Sequence, residues 1–258
     1  MTTPVGNPLD LFRLDGLTAV VTGASSGLGE RFARVLHAVG ARVVVAARRA
    51  DRLTALAADI PGALVVAADL SLADDRERLV ATALDHFGRV DVLVNNAGIG
   101  FKVAIEDETL DDFRSTMELN VTAVWQLSKL VAPSMIANGG GSIVNVASML
   151  GHVGASPVKQ AHYCASKGAV VNLTRELGAQ WGRKGIRVNA LCPGWFPSEM
   201  TAEMEEDESS QRFIAANSPI PRMGRAHELD AALLLLAGPG NTFITGQSII
   251  VDGGWTAR

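Results

Sequence analysis

Tyrosine occurs once in this chain of 258 residues, cysteine twice, and aromatic side chains make up only 5% of it. Two cysteines, Cys164 and Cys192, cannot build a disulfide framework, and no Cys-x-x-Cys spacing is present to hold zinc or exchange disulfides. A reducing compartment is the expectation. The five histidines form no metal-ligand pattern, so no metal site is expected. No stretch approaches the roughly 18 apolar residues of a membrane span, and Met1 to Gly16 lacks the apolar core of a secretion signal. The reading is a cytoplasmic chain without a membrane partner. Positive charge is also scarce: 23 basic against 27 acidic residues leave a net charge of -4, which gives no field to gather a phosphate backbone, and a nucleic-acid partner is not expected. What is there is a composition 48% hydrophobic and 19% charged, that of a folded globular chain long enough for one large α/β domain. Glycine alone is in excess, at 26 residues against an average near 7%.

Apolar runs and helical periods alternate along the chain. Leu17–Thr22 is a short apolar run that stops at Gly23, and from Gly27 apolar residues recur at Leu28, Phe32, Val35, Leu36 and Val39 with helical spacing. The continuous β-branched run Arg42–Ala47 suits a strand buried on both faces of a parallel sheet. The same grammar predicts strands at 63–67, 90–94, 142–146, 186–191 and 248–251. Helices are predicted at 74–87, 110–137, 165–182 and near 228–237. No linker interrupts the series, so residues 1–258 are expected to form one doubly wound, Rossmann-type parallel sheet flanked by helices in three α/β/α layers. The one break is Pro197–Pro221, an apolar-poor insertion rich in glutamate, which reads either as a substrate lid or as a solvated acidic loop.

The turn Thr22-Gly23-Ala24-Ser25-Ser26-Gly27-Leu28-Gly29 joins the first strand to the first helix, where backbone N–H groups and the helix dipole make an anion site. Gly23, Ser25, Ser26, Gly27, Leu28 and Gly29 are expected to cradle a dinucleotide pyrophosphate, with glycine where a Cβ would keep the phosphates away. About 20 residues on, where a carboxylate would hold a ribose hydroxyl, the chain has Arg48-Arg49. Arg48 can offer a fork to a 2′-phosphate, so NADP(H) is preferred; NAD(H) stays permitted if both arginines are merely solvated. Asp69-Leu70 could set Asp69 beside the adenine amine, or cap a helix. Asn95-Asn96-Ala97-Gly98 follows the fourth strand, and its amides suit cross-bracing of the crevice beside Asn96, Ala97 and Gly98.

Tyr163 and Lys167, four residues apart, would share one helix face. A phenol near pKa ~10 is a poor base at neutral pH, and an ammonium about 4 Å away is expected to draw it down by a couple of units. Ser148, at the end of the fifth strand, could hold a carbonyl oxygen beside that phenol.

Taken together, the glycine turn, Asn95-Asn96-Ala97-Gly98, Asn120, Ser148, Tyr163-x-x-x-Lys167, Pro193-Gly194 and Val251-Asp252-Gly253-Gly254 resemble the short-chain dehydrogenase/reductase family, in its single-domain branch, over nearly the whole chain. The resemblance implies hydride transfer between a nicotinamide and a carbonyl or alcohol carbon. It implies Tyr163 as general acid/base, Lys167 as its partner and nicotinamide-ribose ligand, and Ser148 as substrate orienter. Asn120 would hold a proton-relay water, with Pro193, Gly194 and Ser198 on the nicotinamide side. It also implies a homotetramer joined by long helices and C-terminal strands, with Trp255 and Ile249–Val251 available for burial. The substrate would be a 3-oxoacyl compound, a keto sugar or a related ketone. The alternatives are an NAD-dependent polyol or sugar-acid dehydrogenase and a non-catalytic dinucleotide sensor, though a sensor has no need of all four of Asn120, Ser148, Tyr163 and Lys167. The acidic lid disfavours a strongly acidic carrier protein at that entrance. The stretch Met149–His162 is about two residues longer than the family's commonest spacing. It is expected to bulge outward, with His152, Lys159 and His162 either touching substrate or solvated.

Overall fold

The computed structural model describes residues 6–257. Seven strands form a single parallel sheet: β1 (Thr18–Thr22), β2 (Arg42–Ala47), β3 (Leu64–Ala67), β4 (Val92–Asn95), β5 (Gly141–Val146), β6 (Ile186–Pro193) and β7 (Ser248–Val251), in the order β3-β2-β1-β4-β5-β6-β7. The helices are α1 (Gly27–Ala38), α2 (Ala50–Asp59), α3 (Ala73–Phe87), α4 (Leu110–Met117), α5 (Ala123–Ala137), α6 (Ala161–Trp181), α7 (Ala202–Glu206), α8 (Glu208–Asn217) and α9 (Asp230–Ala237).

Alternate strand residues feed two cores. Val21, Val43 and Val45 pack with Phe32 and Leu36 of α1 and with Leu233 and Leu236 of α9. Val20, Val44 and Leu93 point the other way, onto Leu79 of α3, Leu127 and Val131 of α5, and Leu177 of α6. Strands buried on both faces read as apolar runs, which is why β1 and β2 stand out in the sequence. This is the doubly wound three-layer domain that the alternation predicts. Chain direction across the sheet reverses between β1 and β4, which opens a crevice at their C-terminal ends.

Three elements differ from expectation. The helix predicted over 110–137 is interrupted by a π turn at Glu118–Thr122, because one extra residue in a turn leaves the apolar spacing on either side intact. α6 begins at Ala161 rather than at 165, so Tyr163 lies within the helix and not before it. The acidic stretch 197–221 folds as α7 and α8, which spend its few apolar residues inward: Met204 and Ile214 are buried while Glu203, Glu205 and Glu206 are exposed. Among the described residues no helix is long and apolar enough to cross a membrane.

Candidate active site

A cleft of about 470 Å³ runs along the C-terminal ends of the strands, from Arg48 and Asp69 past the glycine turn to Tyr163, Trp195 and Met204. It is lined by Gly23, Ser25, Ser26, Gly27, Leu28, Gly29, Leu70, Asn96, Ala97, Gly98, Ser148, Lys167, Pro193, Gly194 and Ser198 as well. Of the residues expected in the site, Asn120 alone is absent from its walls.

The glycines of the turn divide by role. Gly23 (φ +65°) and Gly27 (φ +57°) adopt the left-handed backbone that the reversal needs. A Cβ on Gly23 would lie 2.9 Å from Ala97 Cα, and one on Gly29 would collide with the Gly23 carbonyl and the Asn96 amide. Packing within the protein therefore demands glycine at positions 23 and 29, where the sequence suggested room for a ligand. At Gly27 the nearest atoms, those of Ser198, would be 3.7 Å away. Thr22 and Asn96 lock β1 to β4: the Asn96 side chain donates to the Thr22 carbonyl (2.9 Å), and the Asn96 and Ala97 N–H groups donate to Thr22 Oγ1. Behind them the Asn95 amide donates to Asn145 Oδ1 (2.9 Å), tying β4 to β5. The first turn of α1 has no side-chain cap, because Ser26, at the cap position, makes no such bond. Gly27, Leu28 and Gly29 of that turn line the cleft, and N–H groups left uncapped there are what an anion site requires.

Arg48 is exposed on the cleft wall. Its neighbour Arg49 is the more committed residue, donating to Ser25 Oγ (2.9 Å), to Ser26 Oγ (2.9 Å) and to both carboxylate oxygens of Glu199. Arg52 adds a third hold, and the arginines keep the Glu199 carboxyl down at about 2. A clamp between the glycine turn and the start of the 197–221 stretch was not foreseen, because its partners lie 150 positions apart. Asp69 accepts from the Ser71 hydroxyl (2.7 Å) and N–H (3.0 Å), which hold its carboxyl below the usual range; it closes a turn before α3 and does not cap the helix.

At the other end of the cleft, α6 carries Tyr163 and Lys167 on one face. Lys167 Nζ donates to the Val146 carbonyl (2.8 Å) and sits 5.5 Å from the centre of the Tyr163 ring. Burial governs both groups. The phenol is pushed up to about 12, with a hydrogen bond from Ser148 opposing the rise, and the ammonium is lowered to about 8. The downward shift expected from Lys167 is therefore overturned: burial strips solvation from the phenolate, and the hydrogen bond from Ser148 offsets only part of that cost. Ser148 Oγ also accepts from the Leu150 N–H (3.1 Å), which fixes it at the start of a short 3-10 turn. Asn120, 1% exposed in the π turn, exchanges hydrogen bonds with both main-chain groups of Ile99 and donates to Ser166 Oγ (3.0 Å). Both its amide hydrogens are taken, so a water relay at this position would run through its main chain or the remaining lone pair.

The long stretch after Ser148 does leave that serine in place, and of its two histidines one, His162, behaves otherwise than expected. His162 is fully buried, 3.1 Å from Glu108, and stacked on Phe101 at 4.2 Å; it neither touches substrate space nor faces solvent. His152, whose ring reaches Cys192 Sγ at 3.6 Å, and Lys159 are exposed, in line with the solvated reading. Among the described residues no group of His, Cys, Asp or Glu is placed to hold a metal ion. At the end of β6, Pro193 pairs with Val251 of the edge strand β7. The Gly194 N–H donates to the Val251 carbonyl (2.9 Å), and a Cβ on Gly194 would lie 2.7 Å from Asp252 Cα.

Positive-φ glycines beside an uncapped helix start, arginines at the end of β2, and a buried Tyr-Lys-Ser group at the far end together fit a nicotinamide dinucleotide. Comparison with known proteins agrees. Residues 23–256 match the family model described as enoyl-(acyl carrier protein) reductase. The chain is 39% identical over 249 residues to galactitol 2-dehydrogenase (L-tagatose-forming) of Cereibacter sphaeroides, covering 95% of this chain and 97% of that protein. A short-chain type dehydrogenase/reductase from Mycobacterium marinum superposes with TM-score 0.92 at 36% identity, over 97% and 99% of the two chains. A gluconate 5-dehydrogenase from Burkholderia cenocepacia, solved with NADP and tartrate, superposes with TM-score 0.93 at 33% identity, over 98% and 100%. Matched along nearly its whole length in sequence and in fold, the chain belongs to the short-chain dehydrogenase/reductase family and is an NAD(P)-dependent oxidoreductase acting on CH–OH or C=O groups.

Proposed function

We propose that the protein interconverts a ketone and its secondary alcohol with NADP(H), using Tyr163 as the proton donor and acceptor. The observation that carries this reading is the convergence of Ser148, Tyr163 and Lys167 at the inner end of the cleft, with Lys167 held from behind by Val146. A bound nicotinamide dinucleotide supplies or accepts the hydride. Ser148 orients the substrate oxygen, and Tyr163, whose phenol is pushed up to about 12, is protonated at neutral pH and ready to donate to a developing alkoxide. Lys167 places its charge under that oxygen and binds the nicotinamide ribose, while Asn120 pins Ile99 beside the cofactor crevice. Tyr163→Phe is expected to abolish turnover while dinucleotide binding, followed by fluorescence titration, survives; unchanged turnover would overturn the reading.

NADP(H) is preferred over NAD(H) because Arg48 stands exposed on the cleft wall and no carboxylate ends β2. Arg48→Ala is expected to weaken NADPH binding about tenfold or more and to leave NADH binding nearly unchanged; equal wild-type affinities for the two would reject the preference. The stretch 197–221 acts as the substrate lid, with Glu199 as its tether and Met204 as its inner face. A homotetramer is the favoured assembly, since Leu110, Phe113 and Trp125 on α4 and α5 and Ile250 on β7 are exposed apolar residues on the elements that the family pairs.

A further inference from the structure

The substrate end of the cleft is walled by Met149, Leu150, Val158, Trp195 and Met204. These five are not isolated apolar residues; they form one cluster with Ile214 of α8, and Trp195 is packed edge-on against Trp255 at 5.6 Å. Polar groups free to meet a ligand are few there. Ser148 and Tyr163 serve the reacting oxygen. Ser198 and Thr201 are hydrogen-bonded to each other, and Thr201 also donates to the Phe196 carbonyl. Lys102, at the rim, lies 3.5 Å from Glu203. Beyond these, Gln160 and the Trp195 indole N–H, which is buried without a hydrogen-bond partner, are the uncharged polar groups on the wall. Glu203 of α7, exposed and paired with Lys102, stands at the entrance.

We propose that the substrate is a bulky, largely apolar and uncharged ketone or its secondary alcohol, and that Trp195 and Met204 are the residues that select it. The inference rests on the hydride-transfer reading above and narrows its substrate. A polyol or sugar acid would bring several hydroxyls against methionine, leucine and indole surfaces, where Gln160 and a single indole N–H are too few to replace the water they lose. A carboxylate would also pass Glu203 at the rim, where Lys102 is already paired with that glutamate, and Lys167 further in is committed to the Val146 carbonyl. An alicyclic or aryl ketone meets neither cost, and buries its surface on a wall that is already packed and dry.

The test is a reduction panel on the intact protein with NADPH and NADH. Bicyclic and aryl ketones are compared with L-tagatose and 5-keto-gluconate, with ligand-induced Tm shifts read in parallel. The apolar ketones are expected to exceed the keto sugars in kcat/KM by about 100-fold or more, and only their alcohols should raise Tm in the presence of oxidised cofactor. Met204→Gln should lower kcat/KM for the apolar ketones about tenfold with the dinucleotide Kd unchanged. Met204→Leu, which keeps the volume, should retain it. Equal or better turnover of the keto sugars overturns this inference and leaves hydride transfer standing. Failure to reduce any member with either cofactor overturns both.

Discussion

At the scale of single residues, the pair Tyr163 and Lys167 was legible in the sequence, whereas the state of its protons was not. Spacing of four places two side chains on one helix face, but burial decides their pKa values, and burial belongs to the assembled fold. The consequence for stability has a definite sign. Lys167 is lowered to about 8 from its ordinary 10.5. Below about pH 8 folded and unfolded chains both carry the ammonium, and the folded one bears its burial cost. Between there and 10.5 only the unfolded chain holds the proton, so raising pH favours the folded state. Tyr163 acts in the opposite sense and later, between its ordinary 10 and about 12. Wild-type Tm relative to Lys167→Met should therefore climb from pH 7 to pH 9.5. The unpaired Val146 carbonyl left by the substitution is a loss independent of pH, and it cancels from the trend. A flat difference would show that Lys167 keeps its ordinary affinity for protons. Arg48 and Arg49 show the same limit of reading: their types are plain in the sequence, but only the fold reveals that Arg49 is bound to Ser25, Ser26 and Glu199 while Arg48 stays exposed.

At the scale of elements, local pattern carried most of the architecture. Strands sheathed on both sides give continuous apolar runs, and helices with one buried face give a period near 3.6, so the order and type of β1–β7 could be read directly. What escaped were features without a periodic signal: the π turn, the early start of α6, and two short helices in an acidic stretch with only a few buried residues. The glycines illustrate the difference between a motif and its cause. Gly29, inside α1, has no room for a methyl group beside the Gly23 carbonyl and the Asn96 amide, whereas a Cβ on Gly182, at the end of α6, would meet nothing within 4 Å. Gly29→Ala should cost about 1–3 kcal/mol, and Gly182→Ala should gain up to about 1 kcal/mol. Urea midpoints measure both; equal effects would mean that the turn yields more freely than its packing implies.

At the scale of the whole molecule, the cleft is assembled from both halves of the sheet and closed by contacts that no local window of sequence contains. Thr22 with Asn96, Arg49 with Glu199, and His162 with Glu108 each join segments far apart in the chain. The sheet's far edge takes part as well. Gly194 is held by a hydrogen bond from its N–H to Val251 of β7, and Asp252 packs against it. β7 has a partner on one side only, β6. If that free side is where copies of the chain meet, the contact supporting the Gly194 end of the cleft is completed by a neighbour. Specific activity would then depend on protein concentration, falling on dilution at the point where light scattering shows the assembly coming apart, and recovering on reconcentration. An activity that stays constant while the assembly dissociates would mean that each chain keeps its own edge in order.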